Sequence, residues 1–180
     1  LPAQKRRRYM EELGLSEHDT TVLTDTVEMA RFFDKTIELT TNAKAAANWI
    51  IGDISAYLKE NKINLEDTKL TPEALAEMID MVDKGTITNA IAKKLVINLF
   101  EKGGSARKMV EEQGLSVISN ENEILDIVKK VIAANPGEVD KYKAGKTQVI
   151  GFFVGQVMKE TRGKADPAIV NKLFKDELEK

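Results

Sequence analysis

Thr71-Pro72-Glu73-Ala74-Leu75-Ala76-Glu77-Met78-Ile79-Asp80-Met81-Val82-Asp83-Lys84-Gly85 is the stretch that decides the class of this fold. It reads as one complete helix. Thr71 is a side-chain cap and Pro72 suits the first helical position, where no amide hydrogen is needed. Leu75, Met78, Ile79 and Val82 recur at three- and four-residue steps and make a single apolar stripe. Gly85 stands where a left-handed residue ends a helix.

The same grammar extends outward in both directions. Upstream, Ala46, Trp49, Ile50, Ile54, Tyr57 and Leu58 share a helical face. Downstream come Ile91, Leu95, Val96 and Leu99; then Ile124, Ile127, Val128, Val131 and Ile132; then Ile169, Leu173 and Phe174. Asn135-Pro136 and Asp166-Pro167 repeat the cap-proline signal, and Ser16, Ser105 and Ser119 are further expected caps. Gly14, Gly103 and Gly114 are expected stops. Sustained apolar–polar alternation is absent from the sequence, and 115–118 is the one plausible extended stretch. The expectation is an all-α chain of about nine to eleven helices. It divides into a helical domain, 1–117, followed by a smaller three- to four-helix tail domain, 118–180, with the boundary near 117–121. A tail that small is marginal alone, so it is expected to lean on the larger part or to swing on a hinge near 115–119.

Composition narrows the class. With 42% hydrophobic residues, 180 residues suffice for one or two small cores. The chain has no cysteine, which excludes thiolate metal sites and cysteine nucleophiles and favours a cytoplasmic setting. The longest near-apolar run, 149–158, falls short of the roughly 20 residues a bilayer requires, so no membrane association is expected. Leu1-Pro2-Ala3-Gln4-Lys5 does not read as a signal peptide; a start without Met suggests a piece of a longer protein.

The net charge of −2 is a weak argument against a polyanion partner, but the charges are segregated. Between residues 141 and 175 eight cations face two anions, a local +6, which leaves −8 for the rest of the chain. That gives one end of the molecule a field attractive to phosphates.

Catalytic chemistry has few candidates. His18 is the only histidine, and Ser16, His18 and Asp19 at a helix start cannot converge as a triad must. The paired carboxylates, such as Glu111-Glu112 and Glu177 with Glu179, sit on exposed helical positions beside lysines rather than at metal-ligand spacing. Gly103-Gly104-Ser105 reads as a tight interhelical turn, without a nucleotide-cradling signature.

The C-terminal residues carry more. Lys143 and Lys146 precede a helix over 147–160; Lys159, Arg162 and Lys164 follow its end. Cations at the C-terminal end complement the helix dipole, whereas Lys143 and Lys146 at its start do not. Phosphate contact and ordinary solvation both remain open for them. Gly151 and Gly155 share one face and each costs about 1 kcal/mol against alanine, so another backbone is expected to approach there, a neighbouring helix before an RNA strand. Phe152, Phe153, Val154, Val157 and Met158 are read as core. Lys5-Arg6-Arg7-Arg8 is read as an exposed helical face.

LPAQKRRRYMEELGLSEHDTTVLT (1–24), AANWIIGDISAYL (46–58), LTPEALAEMIDMVDKGTITNAIAKKL (70–95) and YKAGKTQVIGFFVGQVMKETRGKADPAIVNKLFKDEL (142–178) together resemble the C-terminal region of the B-subunit family of aspartyl/glutamyl-tRNA amidotransferases, the GatB/YqeY family. The last stretch is the most specific, its glycines, lysines and Asp-Pro cap matching together; Asp166 stands where the family commonly has Asn. The resemblance implies a protein that binds Glu-tRNA(Gln) or Asp-tRNA(Asn) and phosphorylates the attached carboxyl with ATP and magnesium. Ammonia from the A subunit then completes the amide. That chemistry belongs to an upstream domain from which residues 1–24 would lead, so this chain is expected to carry no cofactor, and to meet the A and C subunits through that domain. What it covers resembles the part that grips tRNA. Residue by residue, Lys143, Lys146, Lys159, Arg162, Lys164, Asn171 and Lys172 are the expected tRNA contacts, chiefly to phosphates. The competing expectation is a helical protein-interaction module that docks onto a partner enzyme without touching RNA.

Overall fold

The computed structural model describes residues 1–117 and 121–180, and among them the chain is all-α with no strand. It forms two compact units, Leu1–Gly114 and Leu115–Lys180. Ser119 as a cap, the centre of the expected boundary, and the ends of the expected extended stretch and hinge lie outside the described residues.

The first unit contains α1 (Pro2–Glu11), α2 (Glu17–Leu23), α3 (Val27–Leu39), α4 (Ala43–Trp49), α5 (Ser55–Asn61), α6 (Pro72–Asp83), α7 (Asn89–Lys102) and α8 (Ala106–Gln113). A π-turn over Ile50–Ile54 joins α4 to α5 into one continuous helix, and a 3₁₀ turn over Leu65–Asp67 precedes α6. Caps begin most of these helices. Ser16, Thr26, Asn42, Thr71, Thr88 and Ser105 each accept the amide hydrogen three residues on, at 3.0 to 3.2 Å. Each such bond is worth about 1 kcal/mol.

The quoted stretch becomes α6, the central strut. Leu75, Met78 and Ile79 are buried as expected, and Ala74, Ala76 and Met81 join them. It packs on α3, α7 and α8, whose own buried residues include Phe33, Leu95, Leu99 and Val110. Gly103 is required by close approach: a Cβ there would lie 3.0 Å from both Cβ and O of Lys69, at a φ of +69°.

The second unit holds α9 (Glu121–Ala134), α10 (Pro136–Lys143), a 3₁₀ turn (Thr147–Val149), α11 (Ile150–Glu160) and α12 (Pro167–Leu178). Helices α9, α11 and α12 pack around Ile124, Val128, Val131, Phe153, Val157, Val170, Leu173, Phe174 and Leu178. Phe153 and Phe174 stack with centroids 5.1 Å apart at the centre. Helix α10 buries no residue fully; its Tyr142 hydroxyl donates to Glu179 at 3.2 Å. Asp166 caps α12 by accepting from the Ala168 amide at 2.9 Å. Asn135 does not cap α10: its Nδ2 donates back to the Val131 carbonyl at 2.8 Å, ending α9 instead.

Candidate nucleic-acid interface

The seven expected contact residues fall into three places. Lys143 ends α10 and Lys146 opens the 3₁₀ turn before α11; both are exposed, on either side of Gly145. Lys143 therefore sits in the last turn of α10, where the helix dipole favours a cation. The reading of it as misplaced at a helix start is corrected. At the far end of α11, Lys159, Arg162 and Lys164 gather around one turn. The two groups are separated by the length of α11, roughly 16 Å at 1.5 Å per residue. Asn171, half-buried, and Lys172, exposed, sit apart on α12.

Pairing distinguishes them further. Lys172 Nζ lies 3.9 Å from Glu121 Oε1. Among the described residues, Lys143, Lys146, Lys159, Arg162 and Lys164 have no carboxylate within ion-pair distance, so their charge is available to a partner. By contrast, two members of the N-terminal basic run are tied down: Lys5 and Arg8 reach Asp34 at 2.7 and 2.8 Å, while Arg6 and Arg7 stay exposed.

Between the two cationic ends, α11 shows a bare face. Gly151 and Gly155 are exposed, and among the described residues nothing beyond the adjoining residues and backbone of α11 itself lies within 4 Å of where a Cβ would be at either position. Among the described residues no neighbouring helix makes the expected close approach. Phe152 is also 40% exposed rather than core, because a helix that buries Phe153 and Val157 must turn residue 152 outward. Beside this face, a groove of about 510 Å³ runs between α9 and α11, lined by Lys130, Asn135, Gln156, Lys159 and Glu160 among others. Lys130 is a candidate contact outside the charged window of residues 141–175; its signal in the sequence is the Lys129-Lys130 pair on the polar side of α9.

The Ser16, His18 and Asp19 grouping is not assembled. His18 is exposed, and Ser16 Oγ is engaged as a cap to Asp19 at 3.0 Å. Among the described residues no three His, Cys, Asp or Glu side chains are placed to hold a metal ion. Nor does the Gly103-Gly104-Ser105 turn fit an ATP phosphate: Lys69 closes over Gly103, and the Ser105 hydroxyl donates to Glu77 at 2.9 Å. Among the described residues no helix is long and apolar enough to cross a membrane.

The family profile described as GatB domain matches residues 31–178. The chain belongs to the GatB domain family. Its relatives include one of the aspartyl/glutamyl-tRNA(Asn/Gln) amidotransferase B subunits of Clostridium acetobutylicum, 51% identical over 180 residues. The corresponding proteins of Bacillus velezensis and Enterococcus faecalis are each 48% identical over 180 residues. All of this GatB-domain chain is matched, and it spans 38% of the length of each of these relatives.

Proposed function

We propose that this GatB-domain chain is the tRNA-gripping, non-catalytic C-terminal part of the B subunit of an aspartyl/glutamyl-tRNA amidotransferase. The observation that carries the reading is the pair of free cation clusters, Lys143 with Lys146 and Lys159 with Arg162 and Lys164, bracketing the open glycine face of α11. A phosphodiester strand needs this combination: unpaired cations spaced along a track, and a surface without side chains that would hold it off. These contacts orient RNA rather than read its bases; discrimination comes from the shape of the folded tRNA. In this reading ATP and magnesium are handled elsewhere in the parent protein, and the A and C subunits are also met there.

A protein-docking module would instead call for a contiguous apolar patch. Among the described residues the large exposed apolar side chains are spread along the chain: Leu1 just before α1 and Met10 near its end, Val27 and Leu39 at opposite ends of α3, Ile97 on α7 and Phe152 on α11.

Filter-binding titrations with tRNA at two salt concentrations test the proposal. Engagement of about four phosphates gives a log–log salt slope of about −3, roughly a hundredfold loss between about 50 and 200 mM. Replacing Lys146 and Lys164 by Glu together should weaken binding far more than replacing Lys59 and Lys62. Salt-insensitive binding, or equal losses from the two pairs, would overturn it.

A further inference from the structure

In the first unit, Ala45, Asn48, Trp49, Asp53, Asn89 and Lys93 line a cleft of about 240 Å³ between the α4–α5 helix and the start of α7. Trp49 lies directly before the π-turn, where the Ser55 amide and hydroxyl both bond to the Ile50 carbonyl five residues back. Such single π-turns recur at functional sites. Ala46, Ala47 and Ile50 occupy the core, leaving the indole half-buried at the rim. The polar side chains of this cleft are idle. Among the described residues, neither the Trp49 indole N–H, the Asn48 and Asn89 amides, the Asp53 carboxylate nor the Lys93 ammonium has a hydrogen-bond or ion-pair partner in the protein.

We infer that this cleft receives an unpaired RNA base, stacked on Trp49 with its edge towards Asp53 and the two asparagines and its phosphate beside Lys93. An aromatic face, amides that both donate and accept, a carboxylate for an exocyclic amino group and one cation are the complement of a splayed-out nucleotide. The inference rests on the RNA-binding reading above but places a contact in the other unit, with residues that reading does not use.

Trp49 is the only tryptophan, so its emission reports this cleft alone. Titration of the 180-residue chain with single-stranded oligoadenylate should quench it to saturation, and oligouridylate less, because uracil has no amino group for Asp53 to accept from. Lys93→Glu and Asn89→Ala should each shift the quench to about tenfold higher oligonucleotide concentration. The Lys146→Glu, Lys164→Glu double variant should leave the quench in place, which separates this cleft from the α11 interface. Emission unchanged by both oligonucleotides, or a quench indifferent to Lys93 and Asn89, overturns the inference even where tRNA still binds. Loss of salt-dependent tRNA binding with the quench intact overturns the α11 interface alone.

Discussion

The Tyr9 hydroxyl on α1 donates a 2.5 Å hydrogen bond to Oδ1 of Asp34 on α3, from a ring with 0% exposure. Phe33 meets that ring edge-on at 5.0 Å. With Lys5 and Arg8 on the same carboxylate, one aspartate fastens a strongly basic helix to the core of the first unit. The run of four cations that reads as a solvated face is thus half anchored and half free.

Burial first, and the bond to anionic Asp34 second, push the Tyr9 hydroxyl well above its ordinary pKa of 10.0. The folded pKa exceeds the unfolded one, so this contribution to stability is whole below about pH 10 and is lost as pH rises beyond it, when only the unfolded chain ionises. Tyr9→Phe should destabilise at about pH 8 by roughly 1.5–3 kcal/mol, the worth of a hydrogen bond to a charged acceptor. In thermal melts, the gap between variant and parent should narrow above about pH 10. A gap that stays constant would show that Tyr9 contributes by packing alone.

Glu77 on α6 supplies the start of α8. Its carboxylate accepts from Ser105 Oγ at 3.0 and 2.9 Å and from the Ala106 amide at 3.1 Å. Glu77→Ala strands those donors at a helix N-terminus and should cost about 2 kcal/mol in denaturant melts. Glu77→Gln, which keeps an acceptor oxygen, should cost less than half of that. Equal costs would mean that charge, not the hydrogen bonds, holds α8.

The helices are legible in the sequence because stripe, cap and stop coincide on local residues: Thr71, Leu75, Met78, Ile79 and Gly85 need no tertiary information. What local pattern does not supply is direction in space. Val82 belongs to the α6 stripe yet is only half-buried, while Met81 beside it is buried. The π-turn at Ile50–Ile54 is not evident because the buried residues Ala46, Ile50, Ile54 and Leu58 follow four-residue steps, which an ordinary α-helical stripe also contains. Charge segregation marks the α11 cations, since it is a one-dimensional property. Whether Lys172 stands beside Glu121, or Lys130 beside Lys159, depends on helix packing, which sequence spacing does not encode.

Arg162 adopts the left-handed conformation, φ 55°, at the end of α11, and the following Gly163 amide bonds to the Met158 carbonyl at 2.7 Å. A non-glycine residue in this conformation costs about 1–2 kcal/mol, offset in part by the greater unfolded freedom a glycine would bring. Arg162→Gly should therefore leave the melting temperature unchanged or raised while weakening tRNA binding severalfold. A drop in stability would assign the guanidinium a structural role in place of a phosphate contact.

Gly151 and Gly155 allow a sharper separation of fold from function. Among the described residues, nothing beyond the adjoining residues and backbone of α11 itself lies within 4 Å of a Cβ at either site, so each Gly→Ala change removes a helical glycine penalty without a clash, about 0.5–1 kcal/mol at Gly155 and less at Gly151 in the first turn. The double alanine variant should melt higher than the parent. An RNA backbone drawn onto this face by the flanking lysines would meet two methyl groups, and tRNA affinity should fall as stability rises. Opposite signs in the two measurements cannot come from damage to the fold, because a damaged fold loses both. If affinity is untouched while stability rises, the strand passes elsewhere, and the α9–α11 groove at Lys130 and Lys159 becomes the track to mutate next.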